Sequence, residues 1–187
     1  MAISKLFFSL MYILILLTSC KKDPIVPNEA ELITSLVYTL TPQNGGTPII
    51  LSFVDLDGDG GTQPIITTEK MSSNTTYNCS LKLANTSVNP VIDITEDIEA
   101  EAKDHQFFFN ISGEIANTIT VTYNDADSRK NPIGLSSIIK TTNSGTGKMK
   151  LTLRHKPNKD AEGVASGIIT NAGGETDIEV EFDITVK

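Results

Sequence analysis

The chain contains no tryptophan, and it has only two cysteines and two histidines among 187 residues. The missing tryptophan weakens any carbohydrate-stacking role, which depends on large flat rings. Basic residues are also scarce, because 15 Lys and Arg stand against 23 Asp and Glu for a formal net charge of -8. This balance argues against nucleic acid as a partner, since phosphate binding needs clustered Lys and Arg.

No apolar run is long enough to hold the chain stably across a bilayer. The run Leu6–Leu17 follows Lys5 and has 12 residues, whereas a spanning helix needs about 20. A positive residue followed by a short apolar stretch is typical of a secretory signal. Residues 1–19 are therefore predicted to be a signal peptide that is removed.

The end of this segment reads Leu17-Thr18-Ser19-Cys20, which resembles the lipobox of bacterial lipoproteins. Cys20 is predicted to carry the lipid, and residues 20–31, with Pro24 and Pro27, to form an extended tether. The alternative is an ordinary signal with a chance cysteine. Several acyl chains give stable attachment, so the membrane is the expected partner. No Asp follows Cys20, which favours the outer membrane, on its periplasmic or cell-surface face.

Residues 32–187 are predicted to form one all-β domain. Nine segments alternate apolar and polar residues with many β-branched side chains, as half-buried strands do. These segments are residues 33–40, 48–54, 64–68, 75–83, 106–112, 118–123, 135–141, 148–155 and 177–186.

One segment, residues 93–103, has helical spacing instead, with Ile94, Ile98 and Ala102 at every fourth position. Asp93 and Glu96 fit a capped helix start. We therefore predict an antiparallel, immunoglobulin-like β-sandwich of about nine strands with one short helix over 94–103.

Eight short motifs occur in one order along the domain, almost from end to end. They are DLDGDG at 55–60, NTTYN at 74–78, ITEDIEAE at 94–101, DHQFFF at 104–109, TYNDAD at 122–127, NPIGL at 131–135, LRHKPNK at 153–159 and ITNAGGETDI at 169–178. With these motifs the domain resembles a family of small Bacteroidota-type outer-membrane lipoproteins of unknown function. Such proteins are sometimes labelled as type 1 periplasmic binding folds, but that class has two α/β lobes and considerably more residues. The resemblance implies a place beside an outer-membrane TonB-dependent receptor and brings no catalytic residue.

Asp55, Asp57 and Asp59 have the spacing that opens a calcium loop, and calcium is the candidate cofactor. Position 12 of such a loop holds Ile66 instead of Glu, so the bidentate ligand either comes from elsewhere, with Glu69 as a candidate, or is absent. The alternative is a turn rich in turn-forming residues. A second acidic segment, residues 124–131, is more typical of a turn.

His105 and His155 are the only histidines. If they meet at one sheet edge with an acid, they suit Zn²⁺ or Cu²⁺. They would otherwise be separate surface residues, and a His beside a carboxylate can also act as a general base.

Arg154, Lys156 and Lys159 form a basic group at a strand end, either a solvated loop or a docking point for an acidic receptor surface. Phe107 and Phe109 are predicted to anchor the core from one face of their strand, and Phe108 to cover the helix junction from the other. The alternative is an exposed aromatic ligand site. Cys79 is predicted to be a small strand residue and not a reactive thiol.

These features favour a membrane-anchored, non-enzymatic lipoprotein that binds a ligand or a receptor, with nutrient or metal capture as its role. The first alternative is a calcium-stabilised structural or adhesion module. The second is a hydrolase with an unrecognised site, for which the sequence carries no nucleophile signature.

Overall fold

The computed structural model describes residues 32–58 and 61–187. The predicted signal peptide, Cys20, the tether as far as residue 31, and Asp59 lie outside the described residues. Within the described ranges the chain forms ten strands and one α-helix. They are β1 (Ser35–Pro42), β2 (Ile49–Val54), β3 (Ile65–Thr67), β4 (Thr76–Asn85), β5 (Ile92–Asp93), α1 (Ile94–Ala100), β6 (His105–Gly113), β7 (Ile119–Tyr123), β8 (Ser136–Thr141), β9 (Gly145–His155) and β10 (Glu175–Val186).

The strands divide into two antiparallel sheets. The larger sheet has seven strands in the order β3-β2-β1-β4-β8-β7, with β5 paired to the end of β4. The smaller sheet has the order β10-β9-β6. The chain is therefore an all-β sandwich, as the alternating pattern predicted. The one strand beyond the nine predicted is β5. It has only two residues, which is too short to produce a recognisable alternation.

The hydrophobic core fills the space between the two sheets. Alternate residues of each strand point inward because successive side chains leave a strand on opposite faces. Burying one such side chain contributes about 1.5–3 kcal/mol. The larger sheet supplies Leu36, Tyr38, Leu40, Leu81 and Leu83, and the smaller one Met149, Leu151, Leu153, Val180, Phe182 and Ile184.

Phe107, Phe108 and Phe109 lie on β6 and separate to its two faces. Phe107 is fully buried in the main core, and the ring of Phe109 stacks on Tyr38 of the opposite sheet at 5.9 Å. Phe108 faces the other side, where it packs with Val164 in a second small cluster. The prediction of core packing is confirmed for Phe107 and Phe109. Short 3₁₀ turns near residue 164, and not the junction with the α-helix, cover Phe108.

Helix α1 begins directly after Asp93, whose carboxylate accepts a hydrogen bond from the Thr95 N–H at 2.9 Å. Such a side-chain cap satisfies one of the free N–H groups at a helix start. Ile98 faces the core. The helix ends at Ala100, earlier than the predicted residue 103, because residues 101–104 form a turn that leads into β6. Among the described residues, no helix has the length and apolar character needed to cross a membrane.

Candidate functional site

The two histidines, 50 positions apart in sequence, lie side by side in the fold. His105 begins β6 and His155 ends β9, and the antiparallel register pairs them directly. Directly opposite residues on adjacent strands have Cβ atoms about 4.5–5.5 Å apart. Their imidazole rings accordingly stack, with centroids 4.8 Å apart and planes inclined by 19°. The structure therefore brings the two histidines together at one end of the three-stranded sheet, and they are not the separate surface residues of the alternative interpretation.

Asp177 is the acid that joins the pair. The register of β10 against β9 shifts between Thr176 and Ile178, which leaves Asp177 as the extra residue of a bulge. A bulge turns a side chain away from its regular direction and is common beside functional sites. Asp177 Oδ2 lies 3.7 Å from His105 Nε2, and Oδ1 lies 3.8 Å from His155 Nδ1.

Glu101, the first residue after α1, provides a second acid. Its carboxylate and one nitrogen of each histidine ring all lie within 4.8 Å of one another. The Glu101 side chain is exposed, whereas His105 is buried and His155 half-buried. The sequence contained a signal for Glu101, because it precedes His105 by four residues at the end of a helix.

The geometry also places a proton on one ring nitrogen of His105. Its Nδ1 lies 3.2 Å from the backbone oxygen of Glu101. A carbonyl oxygen only accepts hydrogen bonds, so Nδ1 donates to it. The other ring nitrogen, Nε2, faces the Asp177 carboxylate at 3.7 Å.

An open cavity of about 840 Å³ adjoins this cluster, and we call it the site cavity. Its wall is formed by the end of α1 and the turn after it, by the 126–128 turn, and by the end of β9. The charged residues exposed along it are Glu99, Glu101, Lys103, Asp104 and Lys156. His155 also lines the cavity, so the cluster is open to solvent on this side.

Lys159 does not belong to a surface group, contrary to the sequence prediction. It is 1% exposed, and its Nζ donates to the oxygens of Ala102 at 2.6 Å and Pro132 at 2.9 Å. Nζ also lies 3.4 Å from Asp127 Oδ2, and both side chains of this ion pair are fully buried. Lys159 therefore ties the turn after α1 to the 126–132 loop beneath the site cavity.

The pKa directions agree with this burial. Desolvation lowers the pKa of Lys159 and outweighs the opposing effect of Asp127. Desolvation alone would raise the pKa of Asp127, but the N–H groups of Asn131 and Arg129 and the Lys159 ammonium together lower it. The carboxylate is therefore ionised at neutral pH, and it depends on its hydrogen bonds to remain so.

The other two members of the predicted basic group also lie apart. Arg154 is half-buried on β9, and its guanidinium donates to Thr176 Oγ1 at 2.8 Å. Lys156 is exposed beside the site cavity. The prediction of a single basic docking point formed by these three residues is therefore wrong, because Lys159 is buried and Arg154 lies along β9.

The predicted calcium loop lies on the larger sheet, after β2. Asp55 Oδ1 accepts from the Gly58 N–H, and Asp57 Oδ2 accepts from the Thr62 N–H, each at 2.9 Å. Hydrogen bonds from the backbone and the side chain of Thr62 lower the pKa of Asp57. With Asp59 outside the described residues, the calcium hypothesis stays a prediction.

Glu69 does not complete that loop. Its Oε2 accepts a hydrogen bond from the Ile50 N–H, near the start of β2. Asp55 follows the end of the same strand, five residues further on, which corresponds to roughly 16 Å. A calcium ion held by Asp55 would therefore need its remaining ligands from the loop itself.

The second acidic segment, residues 124–131, is a turn held by its own carboxylates. Asp125 accepts from the N–H groups of Gly134 at 2.7 Å and Ser136 at 2.8 Å. Asp127 Oδ1 accepts from the Arg129 N–H at 2.8 Å. Turn formation explains these acids without a cation.

Cys79 lies in the core on β4 and is 4% exposed. Burial raises the pKa of its thiol to about 11. At neutral pH it is therefore a protonated thiol, which is a poor nucleophile. This agrees with its predicted role as a small strand residue.

No protein-family model, no curated protein and no solved structure matches the chain. The arrangement of Glu101, His105, His155 and Asp177 beside the site cavity therefore carries the functional argument.

Proposed function

We propose that the chain is a membrane-tethered, non-enzymatic binding module that captures a small cationic ligand in the site cavity. The observation that supports this proposal is an open cavity of about 840 Å³ beside the histidine pair. Its exposed acids are Glu99, Glu101 and Asp104, against two lysines. A cleft with an excess of one charge concentrates ions of the opposite sign. A rigid sandwich holds this cleft open.

The lipobox-like sequence ending in Cys20 supports attachment to the outer membrane. Residues 21–31 would then let the domain extend roughly 30 Å from the bilayer. The resemblance to outer-membrane lipoproteins supports a receptor in the same membrane as the partner that accepts the ligand. Cys20→Ala is expected to abolish acylation and release the protein from the membrane fraction. A variant that stays membrane-bound, together with native Cys20 that bears no acyl mass, would refute the anchor.

Capture can be tested by native mass spectrometry of the full-length protein, purified from membranes in a mild detergent. We expect a bound species of defined mass. Ser128→Trp places a large side chain in the wall of the site cavity and should reduce the bound fraction. Thr120→Trp, on the exposed face of β7 and away from the cavity, is the matched control. Equal occupancy in both variants would contradict capture at this site.

A further inference from the structure

The class of ligand that the site cavity would take can be inferred from the side-chain cluster beside it, of which Glu101 and His155 line the cavity and His105 is buried behind them. One carboxylate and two imidazoles, from Glu101, His105 and His155, approach within 4.8 Å of one another. Donor atoms about 2.1 Å from a tetrahedral zinc ion lie about 3.4 Å apart. The exposed Glu101 side chain has the freedom to rotate inward and close that gap. The strands hold the two imidazole rings in contact and nearly parallel. Because the lone pair of an imidazole nitrogen lies in the plane of its ring, one ring has to turn about its Cβ–Cγ bond for both nitrogens to face the same ion.

The surroundings of His105 match those of a metal ligand. A ligating histidine usually donates its other ring N–H to a carbonyl or carboxylate, which fixes the ring and its tautomer. His105 Nδ1 has such a partner in the Glu101 carbonyl, at 3.2 Å. Asp177 lies 3.7–3.8 Å from both rings, where its negative charge favours a bound cation.

The donor set also indicates which cations fit. Neutral imidazole suits zinc, copper, nickel and iron, whereas calcium and magnesium take oxygen ligands. Three protein ligands leave at least one coordination position open, in contrast to the closed set of four in structural zinc sites. Because His155 and Glu101 both line the site cavity, that position would face solvent. A site of this kind binds an ion and leaves it accessible.

We propose that Glu101, His105 and His155 bind a divalent transition-metal ion beside the site cavity, with Asp177 next to them. This inference rests on the proposed capture function and names its ligand. Zinc is the probe, because it has no redox chemistry and accepts mixed nitrogen and oxygen ligands.

The test is isothermal titration of Zn²⁺ into full-length protein stripped with EDTA, in detergent. We expect one ion per chain. His155→Ala removes a direct ligand and should weaken Zn²⁺ binding more than about 100-fold. Asp177→Asn changes a residue that contacts the ligands and not the ion, and it should weaken Zn²⁺ binding by about 10–100-fold. Glu101→Gln should also weaken binding. Glu99→Gln, an exposed carboxylate of the same helix that is outside the cluster, should bind as the wild type does.

A fold control keeps the test decisive. Each variant is melted in EDTA, and only those that melt cooperatively are titrated. Glu101 is exposed, so Glu101→Gln is expected to fold even if a histidine variant does not. Zn²⁺ should raise the melting temperature of the wild type by several degrees, and 10 mM Mg²⁺ should not.

The results that would overturn the metal proposal are no saturable Zn²⁺ binding by the wild type, or equal binding by Glu101→Gln and Glu99→Gln. If native mass spectrometry then shows an organic cation that Ser128→Trp excludes, capture stands and only the metal assignment is wrong. If the wild type binds neither zinc nor any other species, both proposals are wrong.

Discussion

Replacing Lys159 by methionine should cost more stability than any other single lysine substitution in the described domain. Methionine keeps most of the apolar stem of Lys159 but removes the ammonium. The Asp127 carboxylate, fully buried, then loses its cation, and the carbonyls of Ala102 and Pro132 lose their donor. Removing one partner of a buried ion pair costs about 3–5 kcal/mol.

The ion pair of Lys159 and Asp127 contributes less to the free energy of unfolding than the loss in Lys159→Met implies. Desolvation lowers the pKa of Lys159 despite the neighbouring Asp127, so burying the ammonium is itself unfavourable. The large cost of the single change comes from the charge left behind. Asp127→Asn combined with Lys159→Met should therefore lose less stability than the sum of the two single variants.

The assay is urea denaturation followed by circular dichroism. The expected loss of about 3–5 kcal/mol corresponds to a fall in melting temperature of about 6–20 °C for a chain of this size. Lys140→Met, at an exposed position on β8, is the matched control and should stay within about 0.5 kcal/mol of the wild type. If Lys159→Met lies within the same range, the buried pair does not hold the loops together as argued.

Three further predictions concern a close backbone contact, the pH dependence of Asp127 and the acidic loop after β2. Gly147→Ala should lose about 1–3 kcal/mol in urea denaturation, because the new Cβ would collide with the Ser112 carbonyl, whereas Gly145→Ala on the same strand meets only ordinary contacts and should stay near the wild type. The free energy of unfolding should fall as pH drops below about 4. The pKa of Asp127 is lowered in the fold, so in this pH range the unfolded chain binds more protons than the folded one. If the free energy of unfolding of Asp127→Asn depends on pH as steeply as that of the wild type, this prediction is wrong. Melting temperatures in EDTA, 10 mM Ca²⁺ and 10 mM Mg²⁺ should be equal, because the Thr62 N–H already binds the carboxylate of Asp57 and Ile66 stands where a calcium loop has its bidentate Glu. A shift specific to Ca²⁺ that disappears in Asp57→Asn would show that the loop binds calcium.

The strands were predictable because each one encodes its own burial. Alternation along β10, for example, places Val180, Phe182 and Ile184 inside and the intervening acids outside. This information is local, so it survives without knowledge of which strands pair. The two-residue strand β5 and the early end of α1 depend on contacts with other segments, and the sequence pattern did not reveal them.

The site was only partly predictable, for a related reason. His105 and His155 were recognised as a candidate pair by residue type, but their contact depends on the register of β6 against β9. Asp177 was missed because strict alternation gives it the same outward direction as Glu179, and a bulge redirects it. Lys159 was misplaced because its burial depends on oxygen atoms supplied by loops distant in sequence.

The most direct test of the metal site is a crystal soaked in Zn²⁺ and measured above and below the zinc absorption edge. We expect one anomalous peak about 2.0–2.2 Å from a nitrogen of each histidine, His105 and His155, and from a carboxylate oxygen of Glu101. A cluster without an anomalous peak, in crystals whose only zinc lies elsewhere on the surface, would contradict the metal proposal.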